Sequence, residues 1–191
     1  MLSQAEKGGV QNTIQNCVTV LQNDPILADS IRLNLLSERI DIVKPMSWQR
    51  SGPTLTDTDM MYILRRMEKY GLYSEKRVSA AIRIVANENH YHPIRDYLND
   101  LKWDGAERIS HALHRFLGAA EDELTAEALK IFLLGAIKRV FHPGCKFEMM
   151  LCLVGGQGAG KSSFFRLLAI KDEWFSDDLR RLDDDNVFRK L

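Results

Sequence analysis

Gly155-Gly156-Gln157-Gly158-Ala159-Gly160-Lys161-Ser162 matches the pattern G-x-x-x-x-G-K-[ST] of a phosphate-binding loop, or P-loop. Its glycines allow the backbone to curl so that successive N–H groups point toward phosphate oxygens. In such a loop the lysine, here Lys161, reaches the β- and γ-phosphates of a nucleoside triphosphate, and Ser162 ligates Mg²⁺. Ser163 follows as a further donor, toward the α-phosphate. We therefore predict that residues 155–163 bind ATP together with Mg²⁺.

The sequence on both sides of this loop supports the same interpretation. Residues 149–154 are a continuous apolar run without a helical stripe, which predicts a strand buried on both faces of a parallel sheet. Residues 164–168 return to helical spacing, which predicts a helix that starts at Lys161. The alternative is a glycine-rich turn that binds nothing, but a turn alone does not require Lys-Ser at this position.

The residues before the loop predict a mostly helical region that contains a small β-hairpin. A helical stripe over residues 14–21 predicts a first helix, and alternation over residues 31–35 and 40–42 predicts two strands joined by a short turn. Thr56 and Asp59 form a capping box at the start of the next helix.

Further helices are predicted up to the loop. Residues 123–141 are apolar on most sides, so we expect that helix to be well buried. Trp103-Asp104-Gly105 predicts a turn in which the indole lies in the core, the aspartate caps and the glycine supplies a positive φ.

The predicted fold class is α/β with two domains. Residues 1–89 are assigned to the helical region with the hairpin, and residues 90–191 to the start of a P-loop ATPase domain. The second domain comprises a helical lead-in, 90–144, and a strand–P-loop–helix unit, 147–170. A boundary near residues 142–146 is also compatible with the sequence.

Composition limits the classes of partner. The chain has 26 basic and 26 acidic residues and a net charge of zero, so DNA contact would depend on local basic patches. The sequence contains no run of eighteen apolar residues and no signal peptide at its start, so we expect a cytoplasmic protein without a membrane span.

Three other groups of side chains are weaker candidates. A basic cluster surrounds Gly71, with two neighbouring aromatic residues: Arg65, Arg66, Lys69, Lys76, Arg77, Tyr70 and Tyr73. This cluster is either a single-stranded DNA site or an ordinary charged helix face. The pairs His90 with His92 and His111 with His114 are poor zinc candidates because no cysteine or clear acidic partner accompanies them. Residues 183–185, three aspartates, predict a solvated loop or helix cap rather than a metal-binding strand end.

A family resemblance rests on several short motifs in a fixed order. They are His92-Pro93-Ile94-Arg95-Asp96-Tyr97-Leu98, Leu101-Lys102-Trp103-Asp104-Gly105, Arg108-Ile109, Pro143-Gly144-Cys145-Lys146, the P-loop and Trp174-Phe175-Ser176-Asp177. Together, over about residues 90–178, they resemble the virulence-associated protein E family.

This resemblance implies a function for the region that contains the P-loop. The family is similar to the superfamily 3 helicases of phages and plasmids, which implies an ATP-dependent DNA helicase or replication ATPase of a mobile element that works as a homo-oligomeric ring. It also implies a Walker B acid and an arginine finger beyond position 191. We therefore assign no catalytic residue within this chain and expect no ATP turnover by it alone.

Two other interpretations stay open. The first is a non-catalytic DNA-binding or protein-interaction module that retains a nucleotide-docking P-loop. The second is a small-molecule kinase, which would leave the long helical segment before the loop unexplained.

Overall fold

Helices dominate the computed structural model, which describes residues 2–4 and 8–176. The elements are α1 (Ile14–Asn23), β1 (Ile31–Asn34), β2 (Arg39–Ile42), α2 (Asp57–Met67), a 3₁₀ turn (Glu68–Tyr70), α3 (Glu75–Glu88), α4 (Pro93–Asp100), α5 (Ile109–Leu117), α6 (Glu123–Phe141), α7 (Lys161–Leu168) and a second 3₁₀ turn (Asp172–Trp174). They form two units, Met1–Leu101 and Lys102–Leu191. None of the helices in the described ranges is both long and apolar enough to cross a membrane.

The predicted hairpin is confirmed. β1 and β2 pair antiparallel, with Ile31 opposite Ile42 and Leu33 opposite Ile40. An additional backbone segment joins each edge of this two-stranded sheet through single bridges, at Tyr91 beside β1 and at Thr54 beside β2.

Tyr91 holds the end of α3 to the sheet. Its N–H donates to the carbonyl oxygen of Leu33 and its carbonyl accepts from the N–H of Leu35, both at 2.9 Å. This exchange ties the residues just before α4 to the first unit. The domain boundary at residues 89 and 90 stays a prediction.

Helix α3 is the centre of the first unit. Val78, Ala81, Ile82 and Val85 lie on one face of α3 and are at most 3% exposed. They belong to an apolar core that also includes buried residues of α1, α2 and both strands. This core explains why α3 makes its main contacts with α1 and β1.

Local capping sets where the first-unit helices begin and end. The predicted capping box is present: the Thr56 hydroxyl accepts from the Asp59 N–H, and the Asp59 carboxylate accepts from the Thr56 N–H. Gly71 follows the first 3₁₀ turn with φ 76°, a left-handed conformation that glycine adopts without steric cost.

A buried ion pair ties the end of α1 to α2. The Asp24 side chain is fully buried and accepts from the Arg66 guanidinium at 2.7 Å and from the Tyr70 hydroxyl at 2.6 Å. The backbone N–H groups of Ile26 and Leu27 also donate to it. Burial by itself would raise the pKa of Asp24, but these hydrogen bonds outweigh it and hold the pKa at about 2.

We expect Asp24→Asn to lower the free energy of unfolding of the first unit by about 3 kcal/mol, because it leaves the Arg66 charge without its buried partner. The pKa in the folded state lies below the ordinary aspartate value of 3.8, so this contribution is present above pH 4 and is lost as the pH falls toward 2. Native-state hydrogen exchange of the α3 amides measures the change. Asp29→Asn is the control, since Asp29 is exposed. Equal stability of the two variants would contradict the assignment.

The second unit has a smaller core. Leu113 of α5, Leu129 of α6 and Phe164 of α7 are its buried residues. The Asp122 carboxylate caps α6 by accepting from the Thr125 N–H at 2.8 Å. The bounds predicted for α6 are confirmed.

The predicted burial of α6 is wrong. Only Leu129 and Gly135 of this helix are buried, whereas Leu124 is 79% and Leu134 58% exposed. One side of α6 packs on α5 and on apolar side chains of residues 151–153. Within the described part of this unit, no element covers the other side, and a helix that is apolar all round needs cover on every side.

The predicted strand before the loop is not observed. Residues 147–156 have no strand assignment, and Met150 and Val154 are 83% and 97% exposed. A strand needs a hydrogen-bonded neighbour, and no backbone bond joins residues 149–154 to any other described residue. Side-chain burial still alternates, since Leu151 and Leu153 are half-buried against the core of the unit.

Gly135 makes room for the Phe147 side chain on α6. A Cβ atom added at Gly135 would overlap the Phe147 ring. An alanine in a helix ordinarily stabilises by up to about 1 kcal/mol over glycine. Here the added methyl group would push the ring away from α6.

We expect Gly135→Ala to destabilise the second unit by about 1–2 kcal/mol, because overpacking outweighs the gain in helix propensity. In a Phe147→Ala background the same substitution should stabilise by about 1 kcal/mol, since the obstacle is gone. Urea denaturation of the four proteins measures this coupling. Additive effects would show that the ring does not rest on Gly135.

Candidate functional site

The loop of residues 155–160 leads directly into α7. Residues 157–160 form a tight turn, with φ 82° at Gly158 and 79° at Gly160. Both angles lie in the left-handed region that favours glycine, so the two glycines let the chain reverse immediately before Lys161. A Cβ atom added at Gly156 would meet nothing within 4 Å, so this exposed position has open space around it.

The Lys161 side chain folds back over this loop. Its ammonium group donates to the carbonyl oxygens of Gly155 at 2.8 Å and Gly156 at 2.7 Å. Both acceptors are exposed backbone groups at the start of the loop. A cation is thereby held at the mouth of a turn built from glycines.

The first N–H groups of α7 are open. Gly160 is the N-cap and supplies no side-chain acceptor, unlike Thr13, Thr56 and Asp122 at the starts of α1, α2 and α6. The Phe164 N–H bonds to the Gly160 carbonyl at 2.8 Å. No acceptor among residues 2–4 and 8–176 lies in hydrogen-bond range of the three preceding N–H groups, which belong to residues 161–163.

These open donors make the start of α7 receptive to an anion. Aligned N–H groups and the helix dipole give a helix N-terminus a partial positive charge. The ammonium group of Lys161 adds a full charge at the same place. The exposed Ser162 and Ser163 follow on the first turn.

Aromatic packing anchors α7 behind the loop. The Phe164 side chain is 8% exposed and lies edge-on to Phe165, with ring centroids 6.0 Å apart. The Phe165 ring in turn meets Phe132 of α6 edge-on at 5.8 Å. Leu117, at the end of α5, approaches Gly160 closely enough that an added Cβ would lie 3.8 Å from its Cδ2 atom.

The structure therefore brings together all the residues predicted to bind nucleotide. Residues 155–160 form the turn, and residues 161–163 form the first turn of α7. Their assignment to ATP and Mg²⁺ stays a prediction. The three aspartates at positions 183–185 lie outside the described residues.

The basic cluster around Gly71 is divided by the fold. Arg66 and Tyr70 are held by the buried Asp24 carboxylate, so these two residues have a structural role. Arg65 and Lys69 remain exposed, as do Lys76, Arg77 and Tyr73.

Sequence reasoning missed an aromatic stack next to this cluster. The Trp48 and Tyr62 rings are parallel within 5°, with centroids 4.9 Å apart. The Arg65 guanidinium lies over the Tyr62 ring at 5.8 Å. The Trp48 indole N–H donates to the buried Asp59 carboxylate at 2.7 Å, which fixes the ring. The spacing of Tyr62 and Arg65, three residues apart on α2, was the available signal.

The histidines have local roles. A ring nitrogen of His92 accepts from the Arg95 N–H at the start of α4, and His111 lies 3.1 Å from the Glu121 carboxylate. His114 contacts the Ala119 carbonyl oxygen at 2.8 Å. Across the described ranges, no three His, Cys, Asp or Glu side chains are grouped to hold a metal ion.

The predicted burial of Trp103 is wrong. The indole is 83% exposed. The turn itself forms as predicted, since Gly105 has φ 84° and the Asp104 carboxylate accepts from the Ala106 N–H at 3.0 Å. Asp104 also accepts two hydrogen bonds from Arg108. Local polar bonds are enough to form this turn, so its formation does not require the indole to enter a core.

Comparison with known families agrees with the sequence motifs. Residues 98–191 match the family model of the virulence-associated protein E-like domain. This range contains α5, α6, the loop and α7, and the predicted resemblance is confirmed over it. A search of curated proteins found no significant match.

Proposed function

We propose that the second unit is the nucleotide-binding part of a virulence-associated protein E-like ATPase and binds Mg-ATP through residues 155–163. One observation carries the proposal: the Lys161 ammonium group is poised over a glycine turn whose following helix begins with open N–H donors. The first N–H groups of a helix have no partner within that helix, so they can donate to a bound anion.

Each residue has a defined part in binding. Lys161 exchanges its bonds to the Gly155 and Gly156 carbonyl oxygens for the β- and γ-phosphates. The N–H groups at the start of α7 donate to phosphate oxygens, and the Ser162 hydroxyl ligates Mg²⁺. Bound ATP would supply a γ-phosphoryl group for transfer.

We expect Lys161→Ala to weaken Mg-ATP binding by about 10- to 100-fold, because a charge-assisted hydrogen bond contributes about 1.5–3 kcal/mol. Isothermal titration calorimetry with Mg-ATP measures the affinity. Lys138→Ala is the matched control, since Lys138 is an exposed lysine of α6. Equal affinity of the two variants would refute the assignment of the loop.

We further propose that this ATPase is the motor of a DNA helicase or replication ATPase of a phage or other mobile element and works as a homo-oligomeric ring. The match over residues 98–191 supports this proposal. The alternative is a non-catalytic DNA-binding or interaction module whose loop only docks nucleotide. The stack of Trp48 on Tyr62 lies outside the matched range and is a candidate DNA contact in either case.

Both versions place DNA contact on the first unit. Tyr62 and Arg65 present an aromatic ring and a cation on one exposed face of α2, and Lys69 follows one turn later. Bases stack on exposed rings, and phosphates pair with such cations. We therefore propose that this face binds single-stranded DNA weakly.

We expect the affinity for a single-stranded oligonucleotide to fall roughly tenfold between 50 and 200 mM salt, because a few phosphate contacts release counterions. Arg65→Ala should weaken binding and reduce the salt slope by about 0.7. Arg83→Ala is the control, an exposed arginine on α3. Fluorescence anisotropy measures all three proteins. Tight binding that ignores salt would show that charge is not the main contribution.

A further inference from the structure

A cavity of about 290 Å³ lies within the first unit, with walls from β2 and α3. The segment that follows β2 forms a third wall, because the Leu55 N–H donates to the Ile40 carbonyl oxygen at 2.8 Å and holds this segment to the strand. Met60 of α2 also lines the cavity. The cavity lies outside residues 98–191, so the proposal for the nucleotide loop makes no use of it.

The floor of the cavity is aliphatic. Ile82 of α3 is 1% exposed and belongs to the core of the first unit. Ile40, Leu55 and Met60 are half-buried and pack against that core. None of the described residues that line the cavity is aromatic. A nucleobase therefore finds no ring to stack on here, whereas an aliphatic side chain in this space is removed from water on several sides.

Two arginines stand at the edge of this floor. Arg39 of β2 and Arg83 of α3 both line the cavity, and both are exposed. In the described part of the chain, neither guanidinium forms an ion pair, a hydrogen bond or a ring contact. Arg50 and Arg66 of the same unit, by contrast, are held by buried carboxylates. A free guanidinium presents a fork of donors that fits a carboxylate in bidentate geometry.

The volume of the cavity limits what can enter it. Small-molecule pockets measure about 300–1,000 Å³, and this cavity lies just below that range. It therefore suits one side chain of a peptide better than a whole cofactor. Thr54 and Ser79 add hydroxyl groups to the wall, and a hydroxyl can both donate to and accept from a peptide backbone.

We infer that this cavity docks an acidic peptide segment of a partner protein. One aliphatic side chain of the segment fills the floor, and carboxylates on either side of it pair with Arg39 and Arg83. Charge complementarity selects this occupant, because both cations lack an acidic partner and none of the described lining residues is acidic. DNA phosphates would also pair with the arginines, but they would leave the aliphatic floor in contact with water.

A peptide titration tests the inference directly. The probe is a fluorescein-labelled peptide, Ser-Asp-Glu-Leu-Asp-Glu-Ser, and its anisotropy is measured with the 191-residue chain. One control peptide has alanine in place of the leucine, and the other has asparagine and glutamine in place of the acids. We expect the alanine peptide to bind about fivefold more weakly and the uncharged peptide at least about tenfold more weakly.

Variants of the chain locate the site. We expect Arg39→Ala and Arg83→Ala each to raise the Kd for the acidic peptide about fivefold, whereas Arg77→Ala, at an exposed arginine of α3 outside the cavity wall, leaves it unchanged. Ser79→Phe places a ring in the cavity and should prevent binding. Asn87→Phe places the same ring on an exposed position of α3 and should have no effect.

Each outcome decides the inference. Equal binding of the leucine and alanine peptides would show that charge alone attracts them, and the aliphatic site would be wrong. The same holds if the native chain binds none of the peptides, or if Arg39→Ala and Arg83→Ala bind as the native chain does. If a single-stranded oligonucleotide displaces the peptide and binds Arg83→Ala more weakly but Arg65→Ala normally, the cavity is a nucleic-acid contact instead. The two arginine variants remain decisive if Ser79→Phe fails to fold, and loss of Mg-ATP binding would leave this inference standing.

Discussion

Backbone N–H and C=O groups that leave water must find partners, and the two units of this protein meet that constraint differently. In the first unit, bridges at Tyr91 and Thr54 pair both edges of a short hairpin. A buried carboxylate, Asp24, accepts from the backbone where α1 ends. In the second unit, as far as the structure describes it, residues 149–154 and the start of α7 keep open backbone groups. Most of these residues are exposed, and the start of α7 is the part that the proposed function uses.

The proposed site follows from this difference. The Gly160 cap leaves the first donors of α7 available, and the Lys161 ammonium group donates to the carbonyl oxygens of Gly155 and Gly156. Under the proposed function, phosphate oxygens accept from both sets of donors. Phe164 and its aromatic neighbours hold α7 in place, so the donors need not reorganise when an anion binds.

The first unit contains a different kind of surface. Trp48 is fixed by the buried Asp59 carboxylate, and Tyr62 and Arg65 stack outward from it. Burial alone would raise the pKa of Asp59, but hydrogen bonds from Arg50, Trp48 and Thr56 hold it well below its usual range. The carboxylate therefore stays charged and keeps the indole in place at neutral pH. A ring that is held in one orientation suits stacking with a base better than a mobile one.

Local signals predicted several elements correctly. The capping box at Thr56, the turn glycine at Gly71 and the bounds of α6 depend on residues within a few positions of one another. The hairpin depends on alternation over a short stretch. The predictions about burial were wrong, because burial depends on which elements pack together. α6, residues 149–154 and Trp103 were all expected to be buried, and each is largely exposed in the structure described.

By itself, the sequence determined the helix ends, the hairpin and the glycine turn before Lys161, because short-range sterics and capping set them. It also determined the resemblance over residues 98–191, which rests on the order of the motifs. Only the tertiary structure decided that Arg66 serves the core while Arg65 faces solvent. It alone placed Trp48 on Tyr62, and Leu117 and Ala128 beside the loop. These pairs are distant along the chain, and which of them meet is decided by the packing of whole elements.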